Sequence, residues 1–159
     1  MHPHYANQPS FKYPGDRLLR FRGTLSDDEM HNPNLRNIDE RNDPTIMVIK
    51  RGCSSGLTVG CLNNIRSVLR YPLKNKPGAY SKEVAILPRS SKSGAFSEGG
   101  DSGAVVLNRW GAVAGMITGG GVSESSDCTY VTSITFLLKR LLLHGIQAHI
   151  FPLPTDLRV

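Results

Sequence analysis

The chain has 159 residues, a length that suits one domain with a core of its own and is short for two full domains. Its 39% hydrophobic and 20% charged residues, with 16 Gly and 10 Pro, favour a turn-rich β protein over a helical bundle or a disordered chain. The formal net charge is +6, but Arg17, Arg20, Arg22, Arg66, Arg70, Lys74, Lys76, Lys139 and Arg140 are scattered without aromatic interleaving; a solvated basic surface is expected, and no nucleic-acid partner.

No apolar run reaches the ~18 residues of a membrane span, and Met1 opens a segment that is not basic-then-apolar, so an intracellular, cytoplasmic protein with no membrane partner is expected. Cys53, Cys61 and Cys128 form no C-x-x-C pair and are odd in number, which favours free thiols.

Residues 1–16 hold Pro3, Pro9, Pro14 and Gly15 among polar residues and read as a flexible lead-in. Residues 17–152 then read as the folded unit, with 153–159 as a tail. Leu18 to Gly23 has strand character, and residues 26–44 read as a surface connection. Ile46–Ile49 and Leu57–Cys61 are β-rich runs separated by Arg51-Gly-Cys-Ser-Ser-Gly56, the pattern of a hairpin. Further strands are expected at Ile65–Arg70, Glu83–Leu87, Ala104–Asn108, Ala112–Thr118 and Thr129–Thr132. Many short strands at this spacing predict a sandwich or barrel.

From Ser133 to His144 the period changes. Ile134, Leu137, Leu138, Leu141 and Leu142 recur at helical spacing, Ser133 can cap the start, Lys139 and Arg140 lie toward the C-terminal end, and Gly145 fits a stop. A terminal helix over about 133–145 is predicted.

The segment Phe96-Ser-Glu-Gly-Gly-Asp-Ser-Gly-Ala-Val-Val106 places a serine hydroxyl in a glycine-dense turn just before an apolar strand. A nucleophilic serine needs an exposed hydroxyl and nearby backbone N–H groups for the oxyanion that forms. Gly99, Gly100 and Gly103 let the backbone take such a turn. Ser102 is therefore the candidate nucleophile, and the N–H groups of Gly100 and Ser102 the candidate oxyanion hole. An ordinary loop entering a strand is the plainer reading of the same residues.

The Gly-Asp-Ser-Gly turn, the two strands after it, Gly119-Gly-Gly121, Cys128-Thr-Tyr-Val131 and the closing helix resemble, in that order, the last half of chymotrypsin-like serine proteases. The resemblance is closest to a fungal intracellular group, through Arg22-Gly23 with the Glu29 to Pro33 region, Lys50 to Gly60, Lys92-Ser-Gly-Ala-Phe-Ser97 and Ser125-Ser-Asp-Cys-Thr-Tyr130, and it spans roughly residues 17–152. It implies an all-β fold, a single antiparallel β-barrel forming the second half of the chymotrypsin-like fold, followed by a C-terminal α-helix. It also implies a peptide or protein substrate, with Phe96, Thr118, Gly119, Gly120 and Tyr130 lining a pocket for an uncharged side chain. No metal or cofactor is implied. In secreted relatives the aspartate at the place of Asp101 binds a freshly cut amino terminus; no activation site is legible here, which leaves Asp101 to hold the turn through local hydrogen bonds.

The family's general-base histidine and orienting aspartate belong to a first barrel of about 100 residues ahead of the serine. Among histidines only His2, His4 and His31 precede Ser102, none in the family's Ala-x-His setting; His31 with Asp39 or Asp43 would keep the chain order, while His144 and His149 follow the serine. Three explanations stay open: a truncated gene model, a half-enzyme completed by another chain, and a degenerate copy. A serine endopeptidase-like domain, nearly inactive alone, is the first functional expectation, and a non-catalytic peptide- or protein-binding barrel the second. A lone half would also expose apolar surface that promotes self-association or docking of a missing N-terminal barrel.

Overall fold

The computed structural model describes residues 21–33, 44–73, 76–120 and 128–151. The predicted lead-in and tail lie outside these residues, as do His2, His4, Asp39 and Asp43. Seven strands form one sheet: β1 (Gly23–Thr24), β2 (Ile46–Arg51), β3 (Leu57–Leu73), β4 (Lys76–Pro88), β5 (Val105–Asn108), β6 (Ala112–Gly120) and β7 (Thr129–Ser133). Their order is β1-β6-β5-β2-β3-β4-β7, and a further pairing of β6 with β7 closes the sheet. Every stave of the closed ring is antiparallel to its neighbours, while β1 adds to β6 in parallel through Gly23 and Thr24. The expected antiparallel barrel is thus present.

Strand alternation divides the apolar residues between two clusters. Inside the barrel, Ile46, Val48, Leu62, Val84, Ile86, Phe96, Val106, Ala114, Ile117 and Val131 are buried together. On the outside, Ile49, Leu107 and Val113 pack with Ile134, Leu137 and Leu138 of the terminal helix α2 (Ile134–Leu143). Ser133 caps α2 by accepting from the Phe136 amide at 3.2 Å, and Gly145 follows its end with φ of +74°, as the sequence predicts. The buried helix face is shorter than expected: of its five residues Leu141 is 36% and Leu142 66% exposed.

Three sequence expectations change. Between Leu18 and Gly23 the described residues hold strand only at Gly23, and the surface connection contains a helix, α1 (Asp27–His31). Ser26 and Glu29 form its capping box, Asp27 pairs with Arg66 at 2.6 Å, and Met30 is buried in the interior cluster. The segments expected as separate short strands near Ile65 and Glu83 are parts of β3 and β4. These two strands extend past the barrel as a two-stranded ribbon, since β2 pairs with β3 only over Leu57–Leu62 and β7 with β4 only over Val84–Ile86. Arg66, Arg70 and Lys76, which read as scattered in the sequence, share this ribbon with Lys82.

Candidate functional site: the Ser102 turn

Two loops meet at one end of the barrel. The first, residues 52–56, joins β2 to β3 and is closed by the Gly52 amide donating to the Gly56 carbonyl at 2.9 Å. The second, residues 97–104, leads into β5. It is stitched to β6 by the Gly103 amide donating to the Ile117 carbonyl at 2.8 Å and the Ile117 amide donating to the Ala104 carbonyl at 3.0 Å.

The two loops are joined by Asp101. Its Oδ1 accepts from the amides of Ser54 (2.9 Å) and Ser55 (3.3 Å), and its Oδ2 from Lys50 Nζ (2.7 Å), Ser55 Oγ (2.5 Å) and the Glu98 amide (3.1 Å). Lys50 stands at the end of β2, on the inward face shared by Ile46 and Val48. Its ammonium also donates to Ser55 Oγ and to the Gly56 carbonyl, so each of its three N–H bonds has an acceptor. It lies 5.9 Å from the centroid of the Phe96 ring. Both charged side chains have 0% exposure. Burial alone would push the Asp101 pKa up; the Lys50 ammonium, the Ser55 hydroxyl and the Glu98 and Ser54 amides outweigh it and hold the carboxyl well below the usual carboxylate range.

Space for this arrangement comes from Gly52, where an added Cβ would collide with the Asp101 carboxylate. Gly100 has a φ of +102°, and an added Cβ there would strike Ser54 Oγ, which donates to the Gly99 carbonyl at 2.7 Å.

Ser102 follows immediately and is exposed. Among the described residues its hydroxyl makes no hydrogen bond, and neither do the N–H groups of Gly100 and Ser102. The turn therefore presents a free hydroxyl and unpaired amides at Gly100 and Ser102 beside a carboxylate, that of Asp101, whose two oxygens are both engaged. Of the expected local hydrogen bonds to Asp101 only that from the Glu98 amide is local in sequence; Lys50, Ser54 and Ser55, on β2 and the loop after it, were not foreseen.

The residues expected to line a substrate pocket separate into two groups. Thr118, Gly119, Gly120 and Tyr130 lie together at the ends of β6 and β7, where Gly119 pairs with Tyr130 and Thr118 Oγ1 donates to the Tyr130 carbonyl at 3.4 Å. Phe96 is in the interior cluster, 1% exposed, with its carbonyl accepting from Thr58 Oγ1 at 2.6 Å. Burial, then the neighbouring Cys128, pushes the Tyr130 phenol pKa up, and burial pushes that of the Cys128 thiol up against the hydrogen bond with Tyr130. None of the three cysteines is in a disulfide.

None of the described histidines hydrogen-bonds the serine hydroxyl. His31 Nδ1 donates to the Asn64 carbonyl at 2.9 Å, His144 caps α2, and His149 is exposed. Among the described residues no helix is long and apolar enough to cross a membrane.

No protein-family model matches the chain, and no curated protein matches it. Among solved structures it is similar to a glutamic-acid-specific serine protease that uses a novel histidine triad in substrate binding, with 20% sequence identity and a TM-score of 0.44, over 65% of this chain and 48% of that one. The chain spans about half the length of that structure.

Proposed function

We propose that this chain is the nucleophile-bearing part of a serine endopeptidase, acting by acyl transfer through Ser102. The observation that carries this reading is the contrast within the turn: an exposed hydroxyl and two unpaired amides in a segment whose next carboxylate is fully bonded. In the reaction, Ser102 Oγ attacks the peptide carbonyl carbon and gives its proton to a histidine base. The Gly100 and Ser102 N–H groups stabilise the oxyanion, the C–N bond breaks, and the amine leaves with that proton. Water then releases the acid and restores the serine. Thr118, Gly119, Gly120 and Tyr130 would line the subsite beside the cleaved bond, with Phe96 beneath it. The base and its aspartate would come from a further barrel. Without them the turn retains only the ~10³ to 10⁴ acceleration that an oxyanion hole and binding supply. Membership of the fungal intracellular group rests on the sequence motifs.

One observation favours a second reading, a non-catalytic peptide-binding barrel: among the described residues no base reaches Ser102 Oγ. Treating the native protein with a fluorophosphonate separates the two. The endopeptidase reading expects modification at Ser102 that Ser102→Ala abolishes. A native protein that binds peptide yet leaves Ser102 unmodified belongs to the second reading.

A further inference from the structure

Strand alternation sorts the side chains of the β3–β4 ribbon onto two unlike faces. The pairs Arg66–Val84, Val68–Lys82 and Arg70–Tyr80 set one face, and the pairs Ser67–Glu83 and Leu69–Ser81 set the other. On the second face Glu83 is buried, accepting from Thr132 Oγ1 at 2.8 Å, and Ser67, Leu69 and Ser81 are half-buried. On the first, Val68, Arg70, Tyr80 and Lys82 are all exposed. Arg66, at its base, pairs with Asp27, but among the described residues neither Arg70 nor Lys82 has an acidic partner. The Arg70 guanidinium lies 5.5 Å from the Tyr80 ring centroid, which carries its charge from β3 toward β4. We propose that this face is a docking surface for an extended acidic polypeptide segment, which adds to the outer edge of β4 and lays acidic side chains at alternate positions against Arg70 and Lys82.

Charge and backbone together select that occupant. Residues 65–83 hold Arg66, Arg70, Lys74, Lys76 and Lys82 against Glu83 alone, and Glu83 belongs to the other face. Because β7 pairs with β4 only over Val84–Ile86, the outer side of residues 79–83 has no sheet partner among the described residues. An added strand supplies the missing backbone partners, and its own alternation returns every second side chain to one face. A nucleic acid offers no such backbone match, and the aromatic ring it would stack on, that of Tyr80, is engaged by Arg70. A second copy would bring cations against cations. The proposal is independent of the endopeptidase reading.

The test uses the full chain and a labelled, end-capped peptide of about eight residues that alternates Glu with Thr. By fluorescence anisotropy it should bind with a dissociation constant below about 1 mM, and more weakly as salt rises. By NMR it should shift the amides of Tyr80, Ser81 and Lys82. Arg70→Ser/Lys82→Ser should weaken binding about 10-fold, with the Val48, Ile86 and Val131 amides still protected from exchange. A peptide with Gln in place of Glu, and one with its Glu residues in a single block, should bind more weakly in the unaltered chain. No binding at that concentration, equal binding of either control peptide, unchanged affinity in the double variant, or shifts confined to other strands overturns the proposal. Tighter binding of a single-stranded oligonucleotide of equal charge overturns it in favour of nucleic acid. Ser102→Ala should bind the peptide as the wild type does; loss of binding there places the peptide at the serine turn and overturns the docking surface. A chain that binds the peptide but never reacts with a fluorophosphonate loses the endopeptidase reading and keeps this one.

Discussion

The anchor of the Ser102 turn and the far part of the β3–β4 ribbon both carry charged side chains, yet they are built on opposite plans. Around Asp101 each donor finds an acceptor, exposure falls to zero, and a glycine at position 52 makes room for the carboxylate. On the ribbon, Val68 is 61% and Tyr80 67% exposed, and the strands pair only with each other. The difference shows where this fold concentrates its specificity: in the few residues that set one turn, and not in the length of its longest strands.

Changes at the anchor should therefore cost far more than changes on the ribbon. Lys50→Met leaves Asp101 buried and uncompensated, and should lower unfolding free energy by ~3–5 kcal/mol in urea titration. Acid should act at the same place. Because the folded pKa of Asp101 is depressed, its contribution is fully present above the unfolded carboxyl value of ~3.9 and is lost as pH falls from there toward the folded value. Urea midpoints taken from about pH 6 to about pH 2 should drop steeply in the wild type and less in Lys50→Met/Asp101→Asn; equal slopes would remove Asp101 as the source. Gly52→Ala should cost ~1–3 kcal/mol by forcing the carboxylate aside. It should also slow any Ser102 modification, since it disturbs the same orientation. Tyr80→Ser, on the ribbon, should stay within ~0.5 kcal/mol. A larger loss would mean that the Arg70 guanidinium, 5.5 Å from the Tyr80 ring centroid, holds more than its exposure suggests.

Much of the barrel was readable because apolar β-rich runs alternate with glycine and proline clusters, and because the terminal segment switches to helical spacing. The ribbon was not, since Asn63-Asn64 looks like an interruption, whereas β3 runs through it with a shift of register against β4 between Leu62 and Arg66. Helix α1 is too short for periodicity to reveal, although Ser26-Asp-Asp-Glu29 writes its capping box in full. The serine turn was legible because glycine density and a hydroxyl are local features. Lys50 was not, because its partner lies 51 positions away and a lysine in a strand is ordinarily solvated. The signal was there: Ile46, Val48 and Lys50 share one parity, which turns the lysine inward with the core.

Closing the barrel has a consequence for how the protein behaves in a crowded solution. A closed sheet offers other chains no row of unpaired amides, so among the described residues such rows are concentrated on the ribbon beyond Arg66 and Val84. Arg70 and Lys82 stand along that stretch, and like charges on two approaching copies repel. Part of the basic excess that looks unremarkable in composition thus guards against strand-to-strand aggregation, and neutralising these two residues should make the ribbon a better template for it.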